Sequence, residues 1–343
     1  MSVTIKSARE IELMREAGRL LAEVHDELAA FVKPGISTKD IDKLGEKLIR
    51  ERGCIPNFLN YNGYPASICV SVNDEVVHGI PNKHRILQEG DIVSLDAGLI
   101  YKGYHSDAAR THAVGSISKE AQQLIDVTRQ SFFEGIKYAK AGNRLHDISN
   151  AIASYAESFG YGVVRDLVGH GIGTALHEDP QIPNFKQVRR GMKLVPGMTL
   201  AIEPMINAGT WEVCWLDDDW TVVSEDCSLS AHYENTVHIT DGEPEILTLK
   251  NNSEGIMELR KGMLAISKAG HDKGSWYVVL DIEETQVLLV NGLNRTVDYP
   301  KKKKLKHLQP INEVPEILQE KLQNKEMWTN EEIKRAIKLA KKD

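Results

Sequence analysis

The sequence predicts an α+β chain built of two related halves, each a pair of helices followed by strand segments, with a small β-rich domain and C-terminal helices after them. Helical periodicity gives way to short strand-like runs twice before residue 249, which suggests two α+β halves packed face to face. A polar stretch, Leu249-Lys-Asn-Asn-Ser253, then breaks the pattern. The charge balance changes there too: residues 251–343 carry 17 Lys+Arg against 14 Asp+Glu, leaving 25 against 35 for residues 1–250. The expected domains are 1–249 and 250–343, and a length of 343 residues accommodates two cores.

Each element has a local cause. Ser7-Ala-Arg-Glu10 is a capping box, and Ile11, Met14, Leu21, Val24 and Leu28 follow at helical spacing until Pro34-Gly35. A second helix is expected after Thr38, burying Ile41, Leu44 and Leu48 and stopping at Gly53. Ser67 to Asn73 reads as a strand. Asp91 to Tyr101 and Tyr104 to Val114 read as strands flanking a tight turn at Lys102-Gly103. Two more helices are expected over Ser118 to Ala141 and Leu145 to Phe159. Short strands follow at 161–173 and Met198 to Ile206, then a long hairpin from Trp211 to Thr240.

Composition narrows the function classes. Apolar residues make up 41% and charged residues 27%, which excludes collagenous, disordered and disulfide-framework chains. No apolar run approaches the ~18–20 residues of a membrane span, and the N-terminus lacks the basic-then-apolar pattern of a signal peptide, so a cytoplasmic location is expected. Cys54, Cys69, Cys214 and Cys227 show no C-x-x-C spacing, which argues against a structural zinc site or a redox pair.

The sharpest signal is five candidate metal ligands: Asp96 in SLDAG, Asp107 in YHSDAART, His170 in GHGIG, Glu203 in AIEPMI and Glu234 in HYENTV. If Lys102-Gly103 is a two-residue turn, 101 pairs with 104 and 98 with 107, making Asp96 and Asp107 diagonal neighbours on one face. Two carboxylates there repel, and neither has an obvious basic partner. Taken singly, each acid reads as an edge charge or turn anchor, and His170 as a loop histidine. Together they suit two divalent cations.

In order and spacing these segments resemble the type I methionine aminopeptidases across residues 1–249, and that resemblance implies the pita-bread fold. It implies that Asp96 chelates one metal, that His170 and Glu203 bind the other, and that Asp107 and Glu234 bridge both. Two further histidines match the family: His78, in VVHGIP, as a contact to the scissile region that helps the leaving amine, and His177, in ALHEDP, as a donor to the substrate carbonyl. The resemblance also implies that Glu203 relays a proton from a metal-activated water that attacks the carbonyl. Tyr61, Tyr64, Cys69 and Trp220 match the positions that form a methionine slot, where a thioether gains from aromatic contact. Leu176 departs from an aromatic residue common at its position. The cofactors implied are two divalent ions, with Fe, Mn, Co and Zn all compatible with carboxylate and imidazole ligands.

Residues 262–298 contain three apolar strands separated by Gly, Asp and Lys turns, and resemble the KOW motif of small SH3-like barrels, with Gly270, Lys273 and Gly274 at its centre. Lys301, Lys302, Lys303 and Lys304 with Lys306 follow, so these five and Lys273 are candidate RNA contacts. Thr329-Asn-Glu-Glu332 caps a last helix carrying Ile333 and Ile337, expected to pack back on the barrel. The partners expected are nascent polypeptide N-termini and, through residues 250–343, the ribosome or rRNA, with no membrane and a monomeric chain. The competing readings are a proline-specific aminopeptidase or prolidase of the same fold, and a non-catalytic pita-bread binding protein.

Overall fold

The computed structural model describes residues 3–249, 260–267, 270–283, 286–304, 307–311, 314–324 and 326–341. Lys250 to Ser253, where the composition breaks, and Lys306 lie outside the described residues. The chain divides into two compact units, Met1–Asn252 and Ser253–Asp343.

In the first unit, α1 (Ala8–Phe31) begins at the expected capping box, with the Ser7 amide donating to Glu10 Oε2 at 2.7 Å and Ser7 Oγ accepting from the Glu10 amide at 3.4 Å. The second helix, α2 (Thr38–Glu51), is capped in the same way by Ser37 and Asp40. Both helices bury their apolar stripes on an antiparallel sheet in which Ile92–Tyr101 lies between Tyr104–Ala113 on one side and Ile55–Pro56 with Ile68–Val72 on the other. The hairpin closes as its sequence requires: Lys102 (φ 49°) and Gly103 (φ 85°) are both left-handed, and Tyr101 pairs with Tyr104 and Gly98 with Asp107.

The second half repeats the plan. Helices α3 (Lys119–Ile136) and α4 (Leu145–Glu157) pack on a five-stranded antiparallel sheet in the order Glu245–Ile246, Asn235–His238, Thr199–Ile202, Gly169–Gly171 and Glu178–Ile182. Two expectations are corrected here. The third helix stops at Ile136, not Ala141: the Tyr138 and Ala139 amides close tight turns on Gly135 and Ile136, and left-handed Gly142 donates to Leu194 O instead of extending the helix. Residues 211–240 are not one hairpin. Only Val213–Trp215 and Val222–Ser224 form one, while Ser230–His232 joins Met205–Asn207 and Asn235–His238 joins Thr199–Ile202. The cause is Pro204, which has no amide for the ladder and splits the 199–207 segment between two sheets.

The two halves are stitched at the centre. Glu234 and Ala109 exchange backbone hydrogen bonds at 3.0 and 3.4 Å, and Thr236 Oγ1 accepts from the Asp107 amide at 3.0 Å and donates to its carbonyl at 2.9 Å. The hairpin acids of the first half are thereby fixed against the acids of the second.

The second unit is a five-stranded antiparallel sheet in the order Lys301–Lys304, Gln286–Val290, Trp276–Glu283, Leu264–Ser267, Leu308–Ile311. The strands at its two ends are adjacent in sequence, and four residues span at most ~14 Å, whereas four flat inter-strand steps need ~19 Å. The sheet is therefore curled. Helices α5 (Glu316–Gln323) and α6 (Asn330–Ala340) cover it, with Leu318, Trp328, Ile333 and Ile337 packed on Leu264, Val278 and Val290. The lysine run is not a loose charged loop but an edge strand. Lys301 and Lys303 bond Asp272 at 2.9 and 2.7 Å, and Lys302 bonds Glu283 at 2.9 Å. Among the described residues no helix is long and apolar enough to cross a membrane.

Candidate metal centre

A cavity of about 280 Å³ opens between the halves of the first unit. All five candidate ligands line it, as do His78, His177, Tyr61, Tyr64, Cys69 and Trp220. The two strands of the hairpin supply Asp96 and Asp107; Cys69 sits directly opposite Asp96 on the next strand and so shares its face. His170 lies within Gly169–Gly171, Glu203 at the Pro204 break, and Glu234 between Ser230–His232 and Asn235–His238. Ligand atoms of Asp107, His170 and Glu234, all buried, lie within 4.8 Å of one another, and His170 Nε2 is 3.5 Å from Glu203 Oε1.

The electrostatics of this cluster ask for positive charge. Asp96 Oδ1, Asp107 Oδ1 and Glu234 Oε1 are buried without hydrogen-bond partners. Burial raises the Asp96 pKa to about 7, and burial together with neighbouring carboxylates holds Asp107, Glu203 and Glu234 well above the usual range. The nearby guanidinium of Arg110 is committed elsewhere: it donates to the Glu234 carbonyl, to Asn235 Oδ1 at 2.6 Å and to Thr248 O at 3.3 Å, never to a carboxylate of the cluster. Four acids without a cation are a costly arrangement unless metal completes it. His170 fits that purpose. Its Nδ1 donates to the Gly171 carbonyl at 2.9 Å, leaving Nε2 bare, and burial depresses its pKa to about 3.

Around the acids, Tyr64 packs edge-on against Trp220 at 5.1 Å and donates to Gly79 O at 2.8 Å, while Trp220 meets His78 at 6.3 Å. Burial lowers the His78 pKa to about 4 and raises that of the Cys69 thiol, which is therefore a neutral wall. His177 is the exposed histidine of the lining, its ring centroid 4.2 Å from that of His170. Leu176 lines the cavity from beneath its neighbour and is buried. One titratable lining residue has no place in the set expected from sequence: His232, 2% exposed, with neither ring nitrogen hydrogen-bonded and Nε2 3.9 Å from Glu203 Oε2. Its position two residues before Glu234 was the one signal that could have pointed to it.

Two packed α+β halves around a buried cluster of carboxylates and histidines define a metal-dependent hydrolase of the pita-bread class. Comparison with known proteins agrees. The profile of metallopeptidase family M24 matches residues 12–241. A methionine aminopeptidase of Clostridium acetobutylicum is 58% identical over 72% of this chain and 99% of its own length, and methionine aminopeptidase 1 of Bacillus subtilis is 50% identical with the same coverage. The crystal structure of methionine aminopeptidase from Thermotoga maritima matches with a TM-score of 0.71 at 44% identity, covering 72% of this chain and all of that one. An Xaa-Pro dipeptidase from Bacillus anthracis matches with a TM-score of 0.58 at 26% identity, over 71% of this chain and 61% of that one. The chain belongs to metallopeptidase family M24 and, within it, to the methionine aminopeptidases, which makes it a metallo-exopeptidase.

Proposed function

We propose that residues 1–249 remove the N-terminal methionine from nascent polypeptides, preferring a small second residue, with two divalent cations held by Asp96, Asp107, His170, Glu203 and Glu234. The convergence of these five side chains with His78, His177 and the Tyr61, Tyr64, Cys69 and Trp220 walls on one cavity carries this reading. Divalent cations held by these residues, whether Fe, Mn, Co or Zn, would supply Lewis acidity to a water and to the scissile carbonyl. The protein's own groups do the rest. Glu203, raised in pKa by its burial and by Asp96, takes the proton of the attacking water; His177 donates to the carbonyl oxygen; His78, kept neutral by burial, assists the leaving amine. The aromatic and thiol walls, with Tyr64 and Cys69 buried and Tyr61 and Trp220 partly so, select an unbranched thioether.

The second unit is read as an SH3-like, KOW-type module that docks on the ribosome or on structured RNA in the cytoplasm. The curled five-strand order supports the barrel reading, and exposed Lys273 and Lys304 support the docking reading.

The test is peptide turnover with defined metals: Met-Ala-Ser should be cleaved and X-Pro peptides should not. Asp107→Asn is expected to abolish turnover and lower metal content while circular dichroism stays that of the parent, since an amide bridges two cations poorly. Full activity with two metals per chain in that variant would sink the dinuclear assignment, and preferential X-Pro cleavage would favour the prolidase reading.

A further inference from the structure

Tyr61 reaches past the pocket wall to His177, with Oη 2.8 Å from Nδ1 and ring centroids 5.4 Å apart. We infer that Tyr61 is a positioning residue for His177: its hydroxyl donates to Nδ1 and so places the imidazole proton on Nε2. The inference rests on the reading above, in which His177 donates to the scissile carbonyl.

A neutral imidazole carries one N–H, and the partner at one nitrogen decides what the other can do. If Nδ1 accepts from the phenol, Nε2–H is left as a donor, and a carbonyl gaining negative charge is what it can serve. If Nδ1–H donated to the phenol, Nε2 would be a bare acceptor and would oppose that oxygen. His170 supplies the contrast within the same cavity. The partner of its Nδ1 is the Gly171 carbonyl, which can only accept, so its proton is held on Nδ1 and Nε2 is bare. Two imidazoles with centroids 4.2 Å apart are thus set to opposite tautomers, one suited to a cation and the other to a carbonyl.

The turn that carries Tyr61 keeps the hydroxyl in place. Tyr61–Gly63 is a single 3₁₀ turn that follows left-handed Asn60 (φ 66°) and contains left-handed Asn62 (φ 50°), so Tyr61 is flanked by both, and the Tyr64 amide closes the turn on Tyr61 O at 2.9 Å. Among the described residues His177 is the one hydrogen-bond partner found for Tyr61 Oη.

Tyr61→Phe removes the oxygen and keeps the ring that lines the slot. With the metal-loaded full chain on Met-Ala-Ser, kcat should fall roughly 10–100-fold, the range for a misaligned catalytic group, with KM within about threefold. His177→Ala should lose at least as much, and adding Tyr61→Phe to it should cost less than twofold more, because the hydroxyl acts only through the imidazole. The second measurement needs no turnover: ¹⁵N shifts of the His177 ring in the full chain, assigned by their loss in His177→Ala, should report Nε2–H in the parent and a mixture of tautomers in Tyr61→Phe. Losses that multiply in the double variant, a Tyr61→Phe chain within twofold of the parent, or an Nδ1–H tautomer in the parent would each overturn the assignment. Failure of the parent to release methionine would instead remove the peptidase reading, and the ¹⁵N result would still decide the tautomer.

Discussion

Among single residues, His78 bears the clearest mark of function over packing. It holds φ 60°, a left-handed conformation that costs a non-glycine residue about 1 kcal/mol or more, and Tyr64 pins the following carbonyl at 2.8 Å. A Cβ on Gly79 would lie 2.3 Å from Val70 O, so the backbone beyond His78 has no slack either. His78→Ala is expected to lower kcat on the order of 10²-fold or more while KM changes little, because the group acts on the leaving amine and not on the bound ground state. Turnover of Met-Ala-Ser within twofold of the parent would return His78 to a structural role. The five acids and histidines of the centre were legible because each sits in a short segment where an unpaired charge has no ordinary excuse. His232 was not: its significance lies in a pair of buried, unpartnered nitrogens, and no spacing announces the absence of a partner.

For whole elements, legibility followed how local the cause was. The starts of α1, α2 and α6 are set by capping boxes four residues long, and the Lys102-Gly103 turn by two residues, so register followed directly. Where a distant segment captures the chain beyond an element, as the Leu194 carbonyl captures the Gly142 amide, sequence alone carries no trace. The segment 3–7 is a case of such long-range capture. Lys6 forms an ion pair with Glu178 at 2.5 Å, their side chains 5% and 9% exposed, and Glu178 Oε1 accepts the Thr174 and Ala175 amides at 2.8 and 3.3 Å in the loop that leads to His177. Lys6→Met leaves that carboxylate buried and unpaired, so urea titration should show a loss of about 3 kcal/mol or more, accompanied by lower kcat. Adding Glu178→Gln should restore most of the stability; no recovery would deny that the uncompensated charge is the cause. Two turns into α1, Arg15 Nε donates to Glu245 at 2.6 Å and His238 Nδ1 lies 3.1 Å from the same carboxylate. His238, then Arg15, hold the Glu245 pKa down at about 2. A carboxyl depressed in the folded state stabilises above its unfolded pKa of about 4.5 and loses that contribution as pH falls toward 2. Parent minus Glu245→Gln unfolding free energy should therefore be constant above pH ~4.5 and shrink below it; a difference independent of pH from 5 to 2 would sink the linkage.

Across the whole molecule, the chemistry and the proposed docking occupy different units. Every residue of the centre precedes Leu249, in Met1–Asn252, and the M24 profile ends at residue 241. Truncation after Thr248 should leave Met-Ala-Ser turnover intact and remove any affinity for ribosomes. The lysine strand sharpens the expectation about charge. Lys301 and Lys303 neutralise Asp272 and Lys302 neutralises Glu283, so a phosphate would have to displace a carboxylate already bonded at 2.7–2.9 Å. Lysines along an edge strand also deter the addition of another strand, which gives the run a purpose without RNA. Lys273 and Lys304 are exposed and, among the described residues, form no ion pair. If the unit binds RNA through fixed charges, replacing Lys273 and Lys304 with glutamine should lower the log–log salt slope by about 1 for each phosphate no longer neutralised, ~2 in all, whereas replacing Lys301 and Lys303 should change it less. The measurement is cosedimentation of each chain with ribosomes over a salt series, with peptide turnover followed in the same samples. Equal cosedimentation of the full, truncated and substituted chains rejects docking by this unit. Turnover abolished on truncation would mean that the second unit completes the catalytic one, and a larger slope change from Lys301 and Lys303 than from Lys273 and Lys304 would mean that the carboxylate pairs open to receive phosphate.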